Sequence, residues 1–421
     1  MIIAIFVGLL LILFLMGVAV PYALIATSVV GMIYSGGFGP VQMGTMAQKM
    51  TAGVNSFTLL AIPFFLLAGK MMNVGSITKR IFNSCNALVG WIPGGLGQVN
   101  ILASVVFAGM SGSAVADAAI EIKAMKDEGF DTEFAAGITA ASSTIGPIIP
   151  PSIPLIMFGC AASVSISDLL VGGIVPGVVC AIALGIMVAI ISVKRRYPRR
   201  GFPSLRELWT LFKSSFLALM TPVILIGGIL SGAFTATEAA AVASLYAMIL
   251  VCVVYREVGL KDLPQIFKEV CREASAIMLV VAASTLYGYM LTKFMIPKMA
   301  LEFFLSVSSN KYVFLLMINL FLLFVGCFME SNAAILILAP ILVPAATSFN
   351  IHPVHFGLIM VFNLMIGLLT PPVGMCLYAT ARVAGLSFEE QLRGTAIFYI
   401  PLIITLIVIT MVPQVTLFLI G

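Results

Sequence analysis

The chain has 421 residues, of which 61% are hydrophobic and only 9% charged, with a mean hydropathy of +1.16. No soluble domain could hide that much apolar surface, and repeated apolar runs near or above about 18 residues read as transmembrane helices, so composition points to a polytopic all-α membrane protein. The net charge of +5 follows the positive-inside tendency and gives no reason to expect a nucleic-acid partner.

The first residues are apolar from Ile2, without a basic n-region, and read as a first membrane helix and not a cleaved signal. Residues 2–35 predict two short helices interrupted at Gly17–Pro21, followed by a polar connection over 39–56. A span over 57–72 ends in Lys70, Lys79 and Arg80, and an amphipathic segment over 76–91 lies along the membrane surface with Trp91 at the interface. From Gly95 an apolar run reaches Met110, turns at Ser111-Gly112-Ser113 and returns to a charged loop. Neither arm is comfortably long enough to span, so a re-entrant hairpin over 94–128 accounts for both, with two ordinary spans around a polar kink as the alternative.

Next comes SSTIGPIIPPSIPLIMFG, Ser142 to Gly159, with Pro147, Pro150, Pro151 and Pro154. Prolines remove helix hydrogen bonds and push the preceding residue toward extended geometry, so 134–165 predicts a broken helix, two halves around an unwound centre. Unwound backbone survives at membrane depth only where protein buries it or where it lines a polar cavity. A full span over 168–193 ends at KRRYPRR, Lys194 to Arg200, which places that loop in the cytoplasm and, counting back, the N-terminus outside.

The second half predicts spans over 216–232 and 237–254, a surface segment Tyr255 to Glu273, a span over 274–292 and a second surface helix over 296–309. A hairpin over 311–347 turns at Met329-Glu330-Ser331-Asn332, a second broken helix covers 354–385, and a final helix runs from about 395 to 418. Gly146, Pro150 and Pro151 match Gly367, Pro371 and Pro372 at an offset of 221. Gly69 matches Gly288 at 219, and Gly109 matches Gly326 at 217. Ordered landmarks at nearly the same spacing indicate an internal duplication, residues 1–200 and 201–421. The topology count gives the halves opposite orientation, the inverted-repeat plan of many secondary transporters, with scaffold and transport domains interleaved across both.

Unwinding frees backbone carbonyls, and hydroxyls add further oxygens, which suits sodium. One candidate shell combines Ser111, Gly112 and Ser113 with Thr144, Gly146 and Pro147. The other combines Gly326, Glu330, Ser331 and Asn332 with Gly367, Thr370 and Pro371. The opposite reading is that these residues only satisfy kinked backbone. The N-terminal ends of the second half-helices favour an anionic group, with Ser111, Pro151, Ser152, Glu330, Ser331, Asn332 and Pro372 as the substrate candidates. No arginine lies in the breaks, so the ions themselves supply the counter-charge. Of the acids in apolar segments, Glu330 is the best functional candidate; Glu238 reads as a helix cap, and Asp117 and Glu121 read as facing the cytoplasm. The seven cysteines form no CxxC pair, and the two histidines, His352 and His355, are too few for a metal site.

Four stretches together carry a family resemblance: FAGMSGSAVADAA (107–119), FAAGITAASSTIGPIIPPSIPLIMFG (134–159), TATEAAAVASLYA (235–247) and GLLTPPVGMCLYA (367–379). The chain resembles, over nearly its whole length, the large membrane subunit of tripartite ATP-independent periplasmic (TRAP) transporters, the DctM-like family. The resemblance implies a sodium-driven importer of organic acids, often sialic acids or dicarboxylates, in a bacterial inner membrane. It implies two or more sodium ions and no organic cofactor. Its partners would be a small four-helix membrane subunit, a soluble periplasmic substrate-binding protein and the surrounding phospholipid. The implied mechanism is an elevator, in which a domain with both hairpins slides against a scaffold and the segments 76–91 and 296–309 are linking arms. A stand-alone sodium–carboxylate carrier is the first alternative. An intramembrane protease is a distant one, because Asp117 has no Asp partner in another span and neither GxSxG nor HExxH occurs.

Overall fold

A computed structural model describes residues 4–37, 39–74, 77–107, 114–199 and 201–420. Among the described residues every regular element is a helix, as hydrocarbon requires of backbone that must satisfy itself. Among the described residues six helices are long and apolar enough to cross a membrane: Phe57–Val74, Ile166–Arg195, Ala236–Val254, Leu263–Lys293, Lys311–Phe328 and Ser331–Ser348. A pair bent by 54°, Phe388–Ala396 and Tyr399–Met411, makes a seventh if taken as one span.

Around Leu263–Lys293 pack Val20–Tyr34, Pro40–Val54 and Phe57–Val74, and onto the last of these Ala236–Ile249 and then Leu205–Leu230. This first group is tied at one end by charge. Lys70 Nζ lies 2.8 Å from Glu273 and 3.7 Å from Glu269, and Arg80 lies 3.7 Å from Glu257 with its guanidinium over the Tyr255 ring. The second group holds the hairpins and broken helices. The first hairpin has arms Gly95–Phe107 and Ala114–Asp127, of 13 and 14 residues. At about 1.5 Å per residue they fall well short of a hydrocarbon core of about 30 Å. The arms of the second, Lys311–Phe328 and Ser331–Ser348, have 18 residues each and approach that thickness.

Both proline-rich stretches break. Thr132–Ser142 is followed by turns over 143–152 and then Ile153–Ala162. Pro353–Gly367 is followed by irregular chain over 368–374 and then Met375–Ala384. Each centre contains a cis peptide bond, Pro150–Pro151 and Pro371–Pro372.

The element order repeats. Ile77–Val89 and Ile296–Val307 start 219 apart, Thr132 and Pro353 start helices 221 apart, and Ile153–Ala162 and Met375–Ala384 match at 222 at both ends. The caps repeat too. Ser163 and Gly385, 222 apart, end their helices in the left-handed region. Ser165 and Ser387, again 222 apart, accept from the backbone N–H of Asp168 and Glu390. Packing is exchanged between the halves. Ser331–Ser348 of the second hairpin packs on Ile153–Ala162, and Ala114–Asp127 of the first packs against Met375–Ala384. Likewise Phe388–Ala396 crosses Thr132–Ser142, and Ile166–Gly172 meets Pro353–Gly367. The first crossing is close because both helices offer glycine: a Cβ on Gly137 would sit 2.3 Å from the Gly394 carbonyl oxygen. The amphipathic helices join the two groups. Ile77–Val89 touches both Leu205–Leu230 and the first hairpin, and Ile296–Val307 both Leu263–Lys293 and the second.

Four details differ from the sequence expectations. The connection over 39–56 contains a helix, Pro40–Val54, started by proline at its first position and by Gln42 accepting from the Gly39 N–H. It packs on Leu263–Lys293 with Gly53 seated against Thr285. The surface segment before residue 274 is continuous with the span behind it, since nothing between Pro264 and Gly288 interrupts the helix and Lys70 meets its acids. Leu205–Leu230 starts earlier than the apolar run it carries. The last helix begins at Phe388, capped by Ser387, bends after Ala396 and stops before Pro413.

Candidate functional site

The first break is built from residues that fold back on their own backbone. Thr144, buried, donates its hydroxyl to the Ala141 carbonyl at 2.7 Å, and Ser143 does the same to Ala140. Ile145 and Ile149 N–H groups close tight turns onto the Ser142 and Ile145 carbonyls. Ser152 is wholly buried and engaged twice: its hydroxyl donates to the Pro147 carbonyl and accepts from the Leu155 N–H. It thereby caps the helix that leaves the break. Pro151 is buried beside it. Among the described residues no backbone N–H donates to the carbonyls of Thr144 or Gly146. Ser111, Gly112 and Ser113 lie outside the described residues, as does the side chain of Asp117.

The second break follows the same logic. Thr370 donates to the Ile366 carbonyl at 2.8 Å, and its N–H bonds the Gly367 carbonyl. The Leu368 carbonyl accepts from Cys376 N–H, and the Leu369 carbonyl from the Tyr399 hydroxyl at 2.5 Å. The carbonyls of Thr370 and Pro371 receive no backbone N–H among the described residues. Pro372 is exposed. The hairpin tip reaches this break: Gly374 N–H donates to the Cys327 carbonyl at 3.4 Å. Just beneath, Gly326 and Gly367 stand backbone to backbone, so close that a Cβ on Gly367 would lie 2.6 Å from the Gly326 Cα. At the tip itself Glu330 is exposed and caps the return arm, accepting from Ala333 N–H at 3.0 Å and from the Asn332 amide at 2.7 Å. Ser331 is buried, and the Asn332 side-chain oxygen is inaccessible and has no hydrogen-bond donor among the described residues. A buried amide oxygen without a donor is costly unless something positive meets it.

Sequence reasoning missed a pair of asparagines below the tips. Asn100, on the first arm of the first hairpin, donates to Glu121 and to Thr139, both at 2.8 Å, and accepts from the Ser142 hydroxyl at 2.5 Å. Glu121 is thus held by the hairpin's own first arm. Asn319, on the first arm of the second hairpin, accepts from the Asn363 amide at 2.5 Å and donates to Thr410. An asparagine inside an apolar run, repeated at 100 and 319 with the 219 spacing of the glycines, was the available signal. Glu238 forms a capping box with Thr235, each side chain meeting the other's backbone N–H. The loop end of the first broken helix is anchored by Asp131, which pairs with Arg195 at 2.8 Å and accepts from Tyr197 at 2.5 Å. Burial there pushes the Tyr197 phenol up to about 12.

A cavity of about 510 Å³ lies between the two helix groups, lined by Gly53, Ser56, Thr58 and Thr285 on one side and Ser163 and Ser165 on the other. All seven cysteines are free thiols. Among the described residues no three His, Cys, Asp or Glu come together.

Comparison with known proteins places this geometry. The family described as "Tripartite ATP-independent periplasmic transporter, DctM component" matches residues 7–415. The sialic acid TRAP transporter large permease protein SiaM of Vibrio cholerae is 46% identical over 96% of this chain and 95% of its own. The C4-dicarboxylate TRAP transporter large permease protein DctM of Pseudomonas aeruginosa is 38% identical over 90% of each chain. The sialic acid TRAP transporter permease protein SiaT of Haemophilus influenzae is 42% identical, and this chain spans 61% of its length. In fold, the Alcanivorax borkumensis YdaH transporter superposes with a TM-score of 0.59 at 11% identity over 89% of each chain. The relatives are transporter permeases, and with six or more apolar spans the chain is a multi-pass protein of the bacterial inner membrane. Across both hairpins and both broken helices, the chain therefore belongs to the DctM component family of tripartite ATP-independent periplasmic transporters.

Proposed function

We propose that this chain is the large permease of a sodium-coupled secondary importer of an organic acid, of the sialic acid or C4-dicarboxylate type. The observation that carries the reading is the oxygen set at the breaks. Among the described residues the Thr144, Gly146, Thr370 and Pro371 carbonyls receive no backbone donor, and the buried Asn332 oxygen meets none either. Sodium is a co-substrate for which such carbonyl-rich shells are suited. The Thr144 and Thr370 hydroxyls spend their protons on their own helices and keep lone pairs for an ion. The acid then binds beside the ions, which provide its counter-charge.

The exchanged packing of the halves supports an inverted repeat, and the two helix groups joined by Ile77–Val89 and Ile296–Val307 support an elevator with these helices as arms. Sialic acid and dicarboxylate relatives support the substrate class, and family membership supports a small membrane subunit and a periplasmic binding protein as partners. Each cation moved across about 100 mV releases roughly 2.3 kcal/mol. Two would sustain a substrate ratio on the order of a thousandfold.

The test is uptake by proteoliposomes holding this chain with its small subunit, supplied with the binding protein, with candidate acids compared. Uptake of one acid that disappears when potassium replaces sodium is the expected result. Equal uptake in potassium would overturn the coupling, and uptake without the binding protein would favour a stand-alone carrier.

A further inference from the structure

We propose that Asn100 and Asn319 are positioning residues, each setting the register of a hairpin's first arm against its own broken helix and thereby the shape of an ion shell. The proposal rests on the sodium reading above. Both asparagines occupy the same place, 219 residues apart, and both bond the helix that leads into a break. Their partners correspond as well: Ser142 and Asn363 are 221 apart, the offset of the glycines and prolines in the breaks. Asn100, Ser142 and Asn363 are at most 1% exposed.

The second half shows what the pair adds. On one helix–helix interface, Asn319 meets Asn363 and Gly326 meets Gly367. Asn319 and Gly326 are two turns apart on one helix, and Asn363 and Gly367 about one turn apart on the other. Two meeting points fix both the crossing and the height. The glycine pair permits close approach but has no directional preference. The amide pair has one, because a shift of a single residue would part Asn363 from Asn319 and leave its buried amide N–H groups without that acceptor, which costs more than the bond contributes. One buried asparagine fixes register in coiled coils for the same reason. Directly after Gly326 the arm delivers the Cys327 carbonyl to the Gly374 N–H at 3.4 Å, in the break that holds the freed carbonyls of Thr370 and Pro371, and the tip with Asn332 follows five residues on. An arm displaced by even part of a residue would open that shell. In the first half the same task falls to Asn100, which also gathers Thr139 and Glu121, so both arms of the hairpin and the broken helix meet at one amide.

The experiment measures sodium dependence of uptake, and of sodium binding to the purified two-subunit membrane complex, for Asn319→Leu, Asn363→Ser and Ser142→Ala. Asn319→Leu should raise the sodium half-saturation about tenfold while leaving the rate at saturating sodium within about twofold, since it removes register and no ion ligand. Asn363→Ser should stay within about threefold of wild type, because a hydroxyl serves this place in the first half. If Asn319→Leu does not assemble as a monodisperse complex, Ser142→Ala decides, with an expected rise of about threefold or more. A half-saturation unchanged in both Asn319→Leu and Ser142→Ala, against a sodium-dependent wild type, overturns the positioning role and leaves the sodium reading intact. A fall in maximal rate alone, with half-saturation unmoved, overturns it equally. A wild type indifferent to sodium removes both.

Discussion

Gly326 and Gly367 were singled out in the sequence for their carbonyls, yet their first role is to have no side chain. Alanine at 367 would drive a methyl against backbone, 2.6 Å from the Gly326 Cα, where nothing flexible can yield. Overpacking of this kind costs about 1–3 kcal/mol. Gly367→Ala should therefore lower the melting temperature of the detergent-solubilised complex by several degrees and reduce uptake, whereas Gly44→Ala, with open space around it, should leave the melt unmoved. Thr370→Ala removes an oxygen and a single methyl from a half-buried position, and its hydroxyl bonds only its own helix, so it costs far less packing than alanine at 367. It should raise the sodium half-saturation with an unaltered melting temperature. At this scale the prolines were legible because proline acts on its own backbone. Asn100 and Ser152 were less so. The partners of Asn100 lie 21 to 42 residues away, and nothing in the string of letters shows that the Ser152 hydroxyl is spent on Pro147.

Helix ends were the most readable feature among the elements. TATEAAA predicted a cap at Glu238, and Thr235 and Glu238 satisfy each other's N–H groups. Thr235→Ala should cost about 1 kcal/mol, read as a lower melting temperature with sodium affinity unchanged. Helix continuity was less readable. The charges of Lys268, Glu269, Arg272 and Glu273 resemble a surface helix, yet they continue into Leu263–Lys293 because Lys70 of another helix neutralises two of them. Lys70→Met, which leaves Glu273 without its 2.8 Å partner, should destabilise by about 0.5–1 kcal/mol, a modest figure for glutamates that remain accessible to solvent. The helix Pro40–Val54 was hidden for the opposite reason: its polar residues read as loop, and its packing depends on Gly53 finding Thr285 far along the chain.

Over the whole molecule, the spacing that the helix starts repeat was visible in the offsets of a few glycines and prolines, while the packing exchanged between the two halves of the chain was not, since packing between distant segments leaves no local mark. The two helix groups face each other across the cavity bounded by Ser56 and Ser163. If one group slides past the other, a short bifunctional thiol reagent joining Ser56→Cys to Ser163→Cys, with Cys160 and Cys271 replaced, should abolish uptake, and a cleavable linker should restore it on reduction. Continued uptake by the fully linked protein would exclude the sliding motion.

The exchanged packing has a further consequence. The helix that begins at the second hairpin's tip, Ser331–Ser348, rests on the helix leaving the first break, and the first hairpin's return arm rests on the helix leaving the second. On the sodium reading proposed above, an ion that draws one tip onto its own break would press on the other break, so that filling one shell would lower the cost of ordering its twin. Flux should accordingly rise sigmoidally with sodium, with a Hill coefficient above one. Weakening either shell alone, by Thr144→Ala or Thr370→Ala, should flatten the curve toward a simple hyperbola.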